Sequence, residues 1–174
     1  VAGGVSGLWV LGNHDMGSEW VQSVFHEDDF ENAEDLALAD TLLLVADGTN
    51  GVHAFDIRDP ESPEWFGTLP AGVSAHGVAW DGARKQVIIA DDSGGLHFWD
   101  VSDPSSPVDL GAVGLGGNAA YRVSVNADSG LAFVATGPGG VHIVDLVSRT
   151  GLAQCPGTSD SYNTAAASQY PALC

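Results

Sequence analysis

Positively charged residues are scarce in this chain of 174 residues. Lys and Arg total 5 against 23 Asp and Glu, Lys85 is the only lysine, and the formal net charge is −18. A chain with this charge repels phosphate groups, so nucleic acid and anionic membrane surfaces are poor partners. The acidity is consistent with a salty or extracellular setting, with simple solubility or, less readily, with a basic partner.

Long apolar runs are absent and cysteines are few. No run reaches the roughly 20 apolar residues of a membrane-spanning helix, so we predict no membrane-spanning segment. The two cysteines, Cys155 and Cys174, fall in the C-terminal tail, where we predict a disulfide that staples the tail. A metal site would normally need more Cys or His at short spacing, so we predict no metal site.

Signatures of common active sites are also missing. The sequence contains no Gly-x-Ser-x-Gly, no His-Glu-x-x-His, no Cys-x-x-Cys and no glycine-rich loop with a lysine that could cradle phosphate. We therefore predict no catalytic residue and no cofactor.

The sequence does contain an internal repeat. The segment Gly51–Pro63 is repeated as Gly95–Pro107, with a partial copy at Gly140–Asp145 and a degenerate copy that begins at Gly7. The successive starting glycines are 44, 44 and 45 residues apart, and a period in this range indicates a propeller or a solenoid.

Each repeat has the sequence pattern of four short strands joined by Gly, Asp and Pro turns, which is the pattern of one antiparallel propeller blade. We predict an all-β fold, a β-propeller of four-stranded antiparallel blades, with about three and a half blades in an open arc or partial ring. The predicted units are a half-blade at 1–26, blades at about 33–69, 75–113 and 119–154, and an irregular tail at 155–174.

The half-blade follows from the alignment of Val1–Gly7 with Val45–Gly51. This alignment places Val1 near the end of a second strand, so the first unit contains only its third and fourth strands. Because unpaired edge strands promote aggregation, we predict that another protein chain completes or covers this half-blade. The chain would then be a fragment of a longer propeller, or half of one that another chain closes.

The repeated pattern Gly-Leu/Val-His-x-x-Asp-Val/Ile-x-Asp-Pro-x-Ser-Pro, preceded by Val/Ile-Ala-Asp, resembles the LVIVD repeat. The resemblance is strong at Val45–Asp47, Gly51–Pro63 and Ile89–Pro107 and partial at Gly140–Asp145. It implies a β-propeller and an extracellular, cell-surface or periplasmic location. It implies no reaction, because a propeller is a scaffold for many functions.

Several residues recur at equivalent positions, which indicates a structural role. His53, His97 and His142 are each the second residue of a third strand, and blades distribute such positions around the ring, too far apart to share a metal ion. We interpret these histidines as interblade packing residues. Aspartates recur in the same units at Asp56, Asp100 and Asp145 and, before prolines, at Asp59 and Asp103; we interpret them as acceptors that fix turns.

Residues at the starts of the innermost strands differ between blades and converge on one face of a propeller. We predict a ligand or partner surface there, formed by Glu34, Asp35, His76, Tyr121 and Arg122. An acidic segment between two blades supplies a second candidate, a docking loop or weak Ca²⁺ site that includes Glu27, Asp28, Asp29 and Glu31.

The sequence favours a non-enzymatic, extracytoplasmic propeller module that mediates protein–protein association, as an accessory or structural subunit of a larger surface or envelope assembly. Two alternatives remain at this point. One is a fragment of a propeller hydrolase or metal-dependent enzyme, in which His76 beside carboxylates acts as a base or metal ligand. The other is a carbohydrate-binding propeller, for which the five tryptophans are weak support.

Overall fold

A computed structural model of the chain describes residue 2 and residues 8–12, 22–27, 30–70, 74–92 and 95–155. In these ranges the regular structure consists of β-strands and one short 3₁₀ turn at Gly137–Gly139. The strands are β1 Leu8–Gly12, β2 Gln22–Glu27, β3 Ala33–Ala39, β4 Leu42–Asp47, β5 Val52–Asp56, β6 Glu64–Leu69, β7 Ala75–Asp81, β8 Gln86–Asp91, β9 Gly95–Asp100, β10 Val108–Gly114, β11 Arg122–Asn126, β12 Leu131–Ala135, β13 Val141–Asp145 and β14 Thr150–Cys155.

The strands form three four-stranded antiparallel sheets and one two-stranded sheet. Strand order follows chain order, as β1-β2, β3-β4-β5-β6, β7-β8-β9-β10 and β11-β12-β13-β14. The predicted all-β propeller with about three and a half blades is therefore confirmed. Among the described residues the sheets do not close into a ring. No helix in these ranges is long and apolar enough to cross a membrane.

In the blades β3–β6 and β7–β10, the second strand forms the centre of the core because neighbouring blades cover both of its faces. Every residue of β4 and of β8 is buried, and their sequences are apolar at successive positions, as sheets covered on both faces require. Leu44 of β4 packs in one cluster with Val78 and Ile89 of the next blade. Ile88 points to the other side and packs with Val123 of the last blade.

The recurring aspartates fix turns. Asp100 Oδ1 accepts the Ser102 N–H at 2.8 Å and the Ser102 hydroxyl at 2.6 Å, and these bonds lower the pKa of Asp100, the hydroxyl bond most. Asp103 Oδ1 accepts the Ser105 N–H at 3.0 Å in the same way. The equivalents Asp56 and Asp145 also accept N–H groups two residues ahead. These carboxylates hold the sharp turns that let short strands reverse direction.

The first strand of each blade lies nearest the centre of the arc. β7 contacts both β3 and β11, and the end of β4 is joined to the start of β7 by an antiparallel bridge between Gly48 and Ala75. The starts of β3, β7 and β11 therefore meet at one face, which is the face on which sequence reasoning placed a candidate site.

Two boundaries differ from the prediction. β2 ends at Glu27, one residue beyond the predicted half-blade at 1–26, so Glu27 of the acidic segment belongs to this strand. β14 continues through Cys155, so this cysteine belongs to the outermost strand of the last blade and not to an irregular tail. Cys155 pairs with Val141 of β13, so the sheet extends to Cys155.

Candidate functional site

The structure brings the five predicted site residues together at the starts of the three inner strands. Glu34 and Asp35 lie on β3, His76 lies on β7, and Tyr121 and Arg122 lie at the start of β11. Their side chains contact one another across the blade boundaries, as the following distances show.

His76 is the centre of the group. Its Nδ1 lies 2.7 Å from Glu34 Oε2 and its Nε2 lies 3.7 Å from Asp92 Oδ1. The imidazole ring also packs against the Tyr121 ring, with 5.5 Å between ring centroids. Glu34 is oriented by Asn32, whose Nδ2 donates to Glu34 Oε1 at 2.7 Å. Sequence reasoning missed Asp92, which follows β8 and approaches His76 only through the folding of the sheet.

Arg122 joins all three inner strands. Its Nη1 donates to the carbonyl of His76 on β7 and, at 2.9 Å, to the carbonyl of Tyr121. Its Nη2 donates to the carbonyl of Glu34 on β3 at 3.0 Å. Because a guanidinium has five donors in a fixed plane, one side chain from β11 reaches across β7 to β3. Arg122 therefore links the three blades through hydrogen bonds, and we call this set of bonds the Arg122 clip.

Gly77 makes this crossing possible. It occupies the same register position on β7 that Asp35 occupies on β3 and Arg122 on β11, since each pairs with the final alanine of the adjacent second strand. A Cβ at Gly77 would lie 2.9 Å from the Tyr121 carbonyl oxygen and 3.0 Å from Arg122 Cα. The missing side chain therefore allows β7 and β11 to approach closely.

The chemistry available at this face is limited by these contacts. Glu34 and His76 are mostly buried, with 22% and 19% of their side chains exposed, and both are bonded across the blade boundary. Among the described residues, no group of three or more His, Cys, Asp or Glu side chains could hold a metal ion. Tyr121 is 42% exposed. The role of this face as a ligand or partner surface stays a prediction.

A second set of contacts links the recurring histidines to a recurring aspartate. His53 Nε2 lies 3.2 Å from the buried Asp47 carboxylate, and His97 Nε2 lies 3.4 Å from the buried Asp91 carboxylate one blade later. Both aspartates end a second strand. These contacts join each histidine to its own blade, so the predicted interblade packing of these histidines stays a prediction. The sequence contained a signal for these aspartates, because the Val/Ile-Ala-Asp pattern recurs after 44 residues. No role was predicted for the aspartates from that pattern.

Asp47 also anchors the segment that leads into its own blade. Its carboxylate accepts the backbone N–H of Glu31 at 3.2 Å and of Asn32 at 2.6 Å. The Asn50 side chain donates to it at 2.8 Å. Together with His53, four donors converge on one carboxylate that has no exposed surface. Asp47 therefore holds the start of β3 against the end of β4.

The last blade has lost the aspartate. Thr136 occupies the position of Asp47, and its hydroxyl donates to the Gly140 carbonyl at 3.1 Å. His142 keeps the histidine position and is buried, and its Nε2 has no hydrogen-bond partner among the described residues. Burial lowers the pKa of His142 below its usual value of 6.5.

This lowered pKa predicts a pH-dependent stability. As the pH falls below 6.5, His142 becomes protonated in the unfolded chain while it stays neutral in the folded chain. Unfolding therefore becomes more favourable. We expect His142→Phe, which keeps a ring but cannot titrate, to lose less unfolding free energy than the wild type between about pH 7.5 and about pH 5.5. Urea unfolding of each protein at both values measures this difference. Equal losses in the two proteins would contradict the prediction.

The acidic loop is only partly described. Glu31 is exposed, and its carboxylate accepts the hydroxyl of Thr49. Glu27 is the last residue of β2, where only the backbone is described, and Asp28 and Asp29 lie outside the described residues. A docking or Ca²⁺-binding role for this loop therefore stays a prediction.

The fold and the repeated contacts define the class: this chain is a partial β-propeller of four-stranded blades. A sequence model of the LVIVD repeat matches residues 87–113, so the resemblance at the third unit is confirmed. A solved structure described as Kuenenia stuttgartiensis hydrazine synthase is similar, with a TM-score of 0.63 at 12% identity, over 86% of this chain. The chain spans 40% of the length of that chain, and the likeness concerns the fold alone. A search of the curated proteins gave no match.

Proposed function

We propose that this chain is a non-enzymatic, extracytoplasmic β-propeller module that mediates protein–protein association as an accessory or structural subunit of a larger surface or envelope assembly. The observation that carries the proposal is an apolar strip on β3, formed by Leu36 and Leu38, that no described part of a neighbouring blade covers. Leu36 is 36% exposed and Leu38 is 63% exposed. We call these two side chains the β3 strip.

Comparison with the other blades shows that the exposure is specific to this position. Leu36 pairs with Val45, Val78 with Ile89 and Val123 with Val134, so the first members of these pairs share one register position. Val78 is 4% exposed and Val123 is 9% exposed, because in each case the preceding blade packs against them. The β3 strip is the same surface, and no preceding inner hairpin covers it in the part of the chain that the structure describes.

The two-stranded sheet explains why only part of this face is exposed. Leu8 of β1 packs with Leu43, Val45 and Phe55 of the first full blade, so the outer part of the face is buried. The β3 strip lies further inward, beyond the reach of β1. Burying one leucine side chain stabilises a protein or complex by about 1.5–3 kcal/mol relative to exposing it, which favours a partner that covers the strip.

Other features support the extracytoplasmic and non-enzymatic parts of the proposal. The net charge of −18 disfavours nucleic acid and anionic membranes, and sequence signatures of common active sites are absent. Cys155 is not a free thiol; Cys174 lies outside the described residues, and the predicted disulfide between them would require an oxidising compartment. The resemblance to LVIVD repeats agrees with such a location.

Site-specific cross-linking tests the proposal. A photo-reactive amino acid replaces Leu38 in the chain as its source organism produces it, and a second variant carries it at Val147, which is 71% exposed in the turn between β13 and β14. We expect a defined protein adduct from position 38 and none of the same mass from position 147, because position 38 lies on the apolar β3 strip and position 147 lies in a turn. Tandem mass spectrometry identifies the cross-linked protein.

The outcomes separate clearly. A single recurrent partner at position 38, lost from co-purification when Leu38 is changed to Lys, supports the proposal. Adducts that are absent at position 38, or the same at positions 38 and 147, would remove its basis.

A further inference from the structure

A groove with a volume of about 340 Å³ lies between the blade β3–β6 and the blade β7–β10. The first blade contributes the buried side chains of Leu44 and Ala54 and the ring of Phe66, which is 41% exposed. The second blade contributes the turn that leads into β10, including the exposed Pro107. The groove is therefore mainly apolar and is formed entirely by described residues.

At the next blade boundary, the equivalent space contains an aromatic ring. Ala54 pairs with Leu44 in the first blade, and Phe98 pairs with Ile88 at the same register in the second blade. Phe98 is therefore the counterpart of Ala54, and its ring has no exposed surface because it packs against the last blade. The groove lies where this ring is replaced by a methyl group.

An arginine covers that ring. Arg149 directly precedes β14, as Pro107 directly precedes β10. The Arg149 Cζ lies 6.0 Å from the centroid of the Phe98 ring, and its Nη1 donates to the carbonyl of Leu110 at 3.1 Å. Leu110 is the counterpart of Phe66, 44 residues later. A ring and a guanidinium thus fill the boundary that is open one repeat earlier.

No arginine or lysine of this sequence is available to fill the groove. All five of them lie in the described ranges, so the segments that the structure does not describe contain none. Each of the five binds elsewhere: Arg58 to Asp56, Arg84 to Asp81, Lys85 to Asp40, Arg122 to carbonyls of the inner strands and Arg149 to the Leu110 carbonyl.

The charge beside the groove favours a cation. Asp56 and Glu64 pair with each other two residues beyond Ala54, on the same face of the sheet. Asp56 forms an ion pair with Arg58 at 2.6 Å, and Glu64 adds a second, exposed carboxylate. The counterpart of Glu64 in the next blade is Val108, so the open boundary has one carboxylate more than the boundary that Arg149 fills.

We propose that this groove binds an arginine side chain together with a neighbouring aromatic ring, both supplied by a polypeptide segment that is not part of these 174 residues. Arginine fits better than lysine, because a planar guanidinium can donate to a carbonyl while its face lies over a ring. The inference rests on the association function proposed above but uses a separate surface. Leu44 faces the opposite side of its sheet from the adjacent Val45, which pairs with Leu36 of the β3 strip.

The probe is the dipeptide acetyl-Phe-Arg-amide. Its control is acetyl-Phe-citrulline-amide, which has nearly the same shape but no charge. The isotopically labelled full chain is titrated with each compound up to about 10 mM while its amide resonances are recorded by NMR. Salt at about 150 mM screens general attraction to the acidic surface. We expect saturable shifts at Gly67, Thr68 and Ser105, which line the groove, and binding of the control that is at least about tenfold weaker.

Two variants test the location of the site. Ala54→Phe places a ring where Phe98 lies in the next blade, so we expect the groove to be filled and the affinity for the dipeptide to fall by about tenfold or more. Phe66→Ser changes an exposed residue, removes apolar surface from the groove and should weaken binding by at least about threefold. Val147→Ser, in the exposed turn before β14, should change the affinity by less than about twofold.

Each result decides for or against the arginine site. Shifts that are absent from the groove, spread over the whole acidic surface, or equal for the two dipeptides overturn the inference. Unchanged affinity in both Ala54→Phe and Phe66→Ser also overturns it. Binding that emerges only after removal of residues 156–174 would assign the groove to that segment. A defined cross-linked protein at Leu38 would in each of these cases still support the association function, so the two proposals fail separately.

Discussion

Replacing Gly77 by Val is expected to lower the free energy of unfolding by about 3 kcal/mol, near the upper end of overpacking effects. A Cβ at this position would lie 2.9 Å from the Tyr121 carbonyl oxygen and 3.0 Å from Arg122 Cα. Both atoms belong to the backbone of the neighbouring blade, so no side-chain rotation relieves the clash. β7 and β11 would have to separate, and the Arg122 clip to Glu34 would lengthen or break.

Gly67→Val is the matched control. Gly67 also lies within a strand, in β6, but a Cβ there would have no atom within 4 Å. We expect this variant to be neutral, or more stable by up to about 1 kcal/mol, because valine favours strands more than glycine does. Urea denaturation of the two variants measures the difference. Equal stability of the Gly77 and Gly67 variants would show that close approach of the inner strands is not needed.

Replacing Asp47 by Ala is expected to destabilise the chain by about 3 kcal/mol or more, because buried donors lose their acceptor. The donors are the N–H groups of Glu31 and Asn32, the side-chain amide of Asn50 and the ring of His53. The carboxylate has no exposed surface, so water cannot replace it without opening the blade. Loss of the bonds to residues 31 and 32 should also loosen the start of β3, where Glu34 is held.

Asp128→Ala controls for the removal of one negative charge. Asp128 is exposed in the turn between β11 and β12, and we expect its removal to change stability by less than about 0.5 kcal/mol. Thermal or urea unfolding compares the two variants, and amide exchange of Glu31 and Asn32 reports on the local effect. An Asp47 variant as stable as the Asp128 variant would contradict the assigned role of this carboxylate.

The sequence by itself determined the architecture of this protein. A 44-residue repeat with Gly, Asp and Pro at its turns requires four short strands per unit, and the structure contains three such sheets and a two-stranded one. The alignment of Val1–Gly7 with Val45–Gly51 predicted a partial first blade, and the bridge of Ala2 with Leu8 matches the pair Ala46–Val52 one repeat later. Such information is local, because turns and alternation depend on neighbours in the chain.

The repeat also predicted which face of the propeller would bring Glu34, His76 and Arg122 near one another, but not what they would do there. The sequence predicted Arg122 as a candidate for contact with a ligand, which stays a prediction; it did not predict that the guanidinium donates to the backbone carbonyls of Glu34, His76 and Tyr121. It missed Asp92 beside His76, and it did not predict the exposure of Leu36 and Leu38.

Only the tertiary structure decided these points, because they depend on distances between blades. Whether a leucine on an inner strand is buried depends on the sheet packed against it, and whether an arginine is free depends on carbonyls that are 46 and 88 residues away in the chain. A strand pattern encodes which side of the sheet a side chain faces. The pattern does not encode which residues cover that side. In this protein, Val78 is buried because a neighbouring sheet packs against it, whereas Leu36 at the equivalent position is exposed.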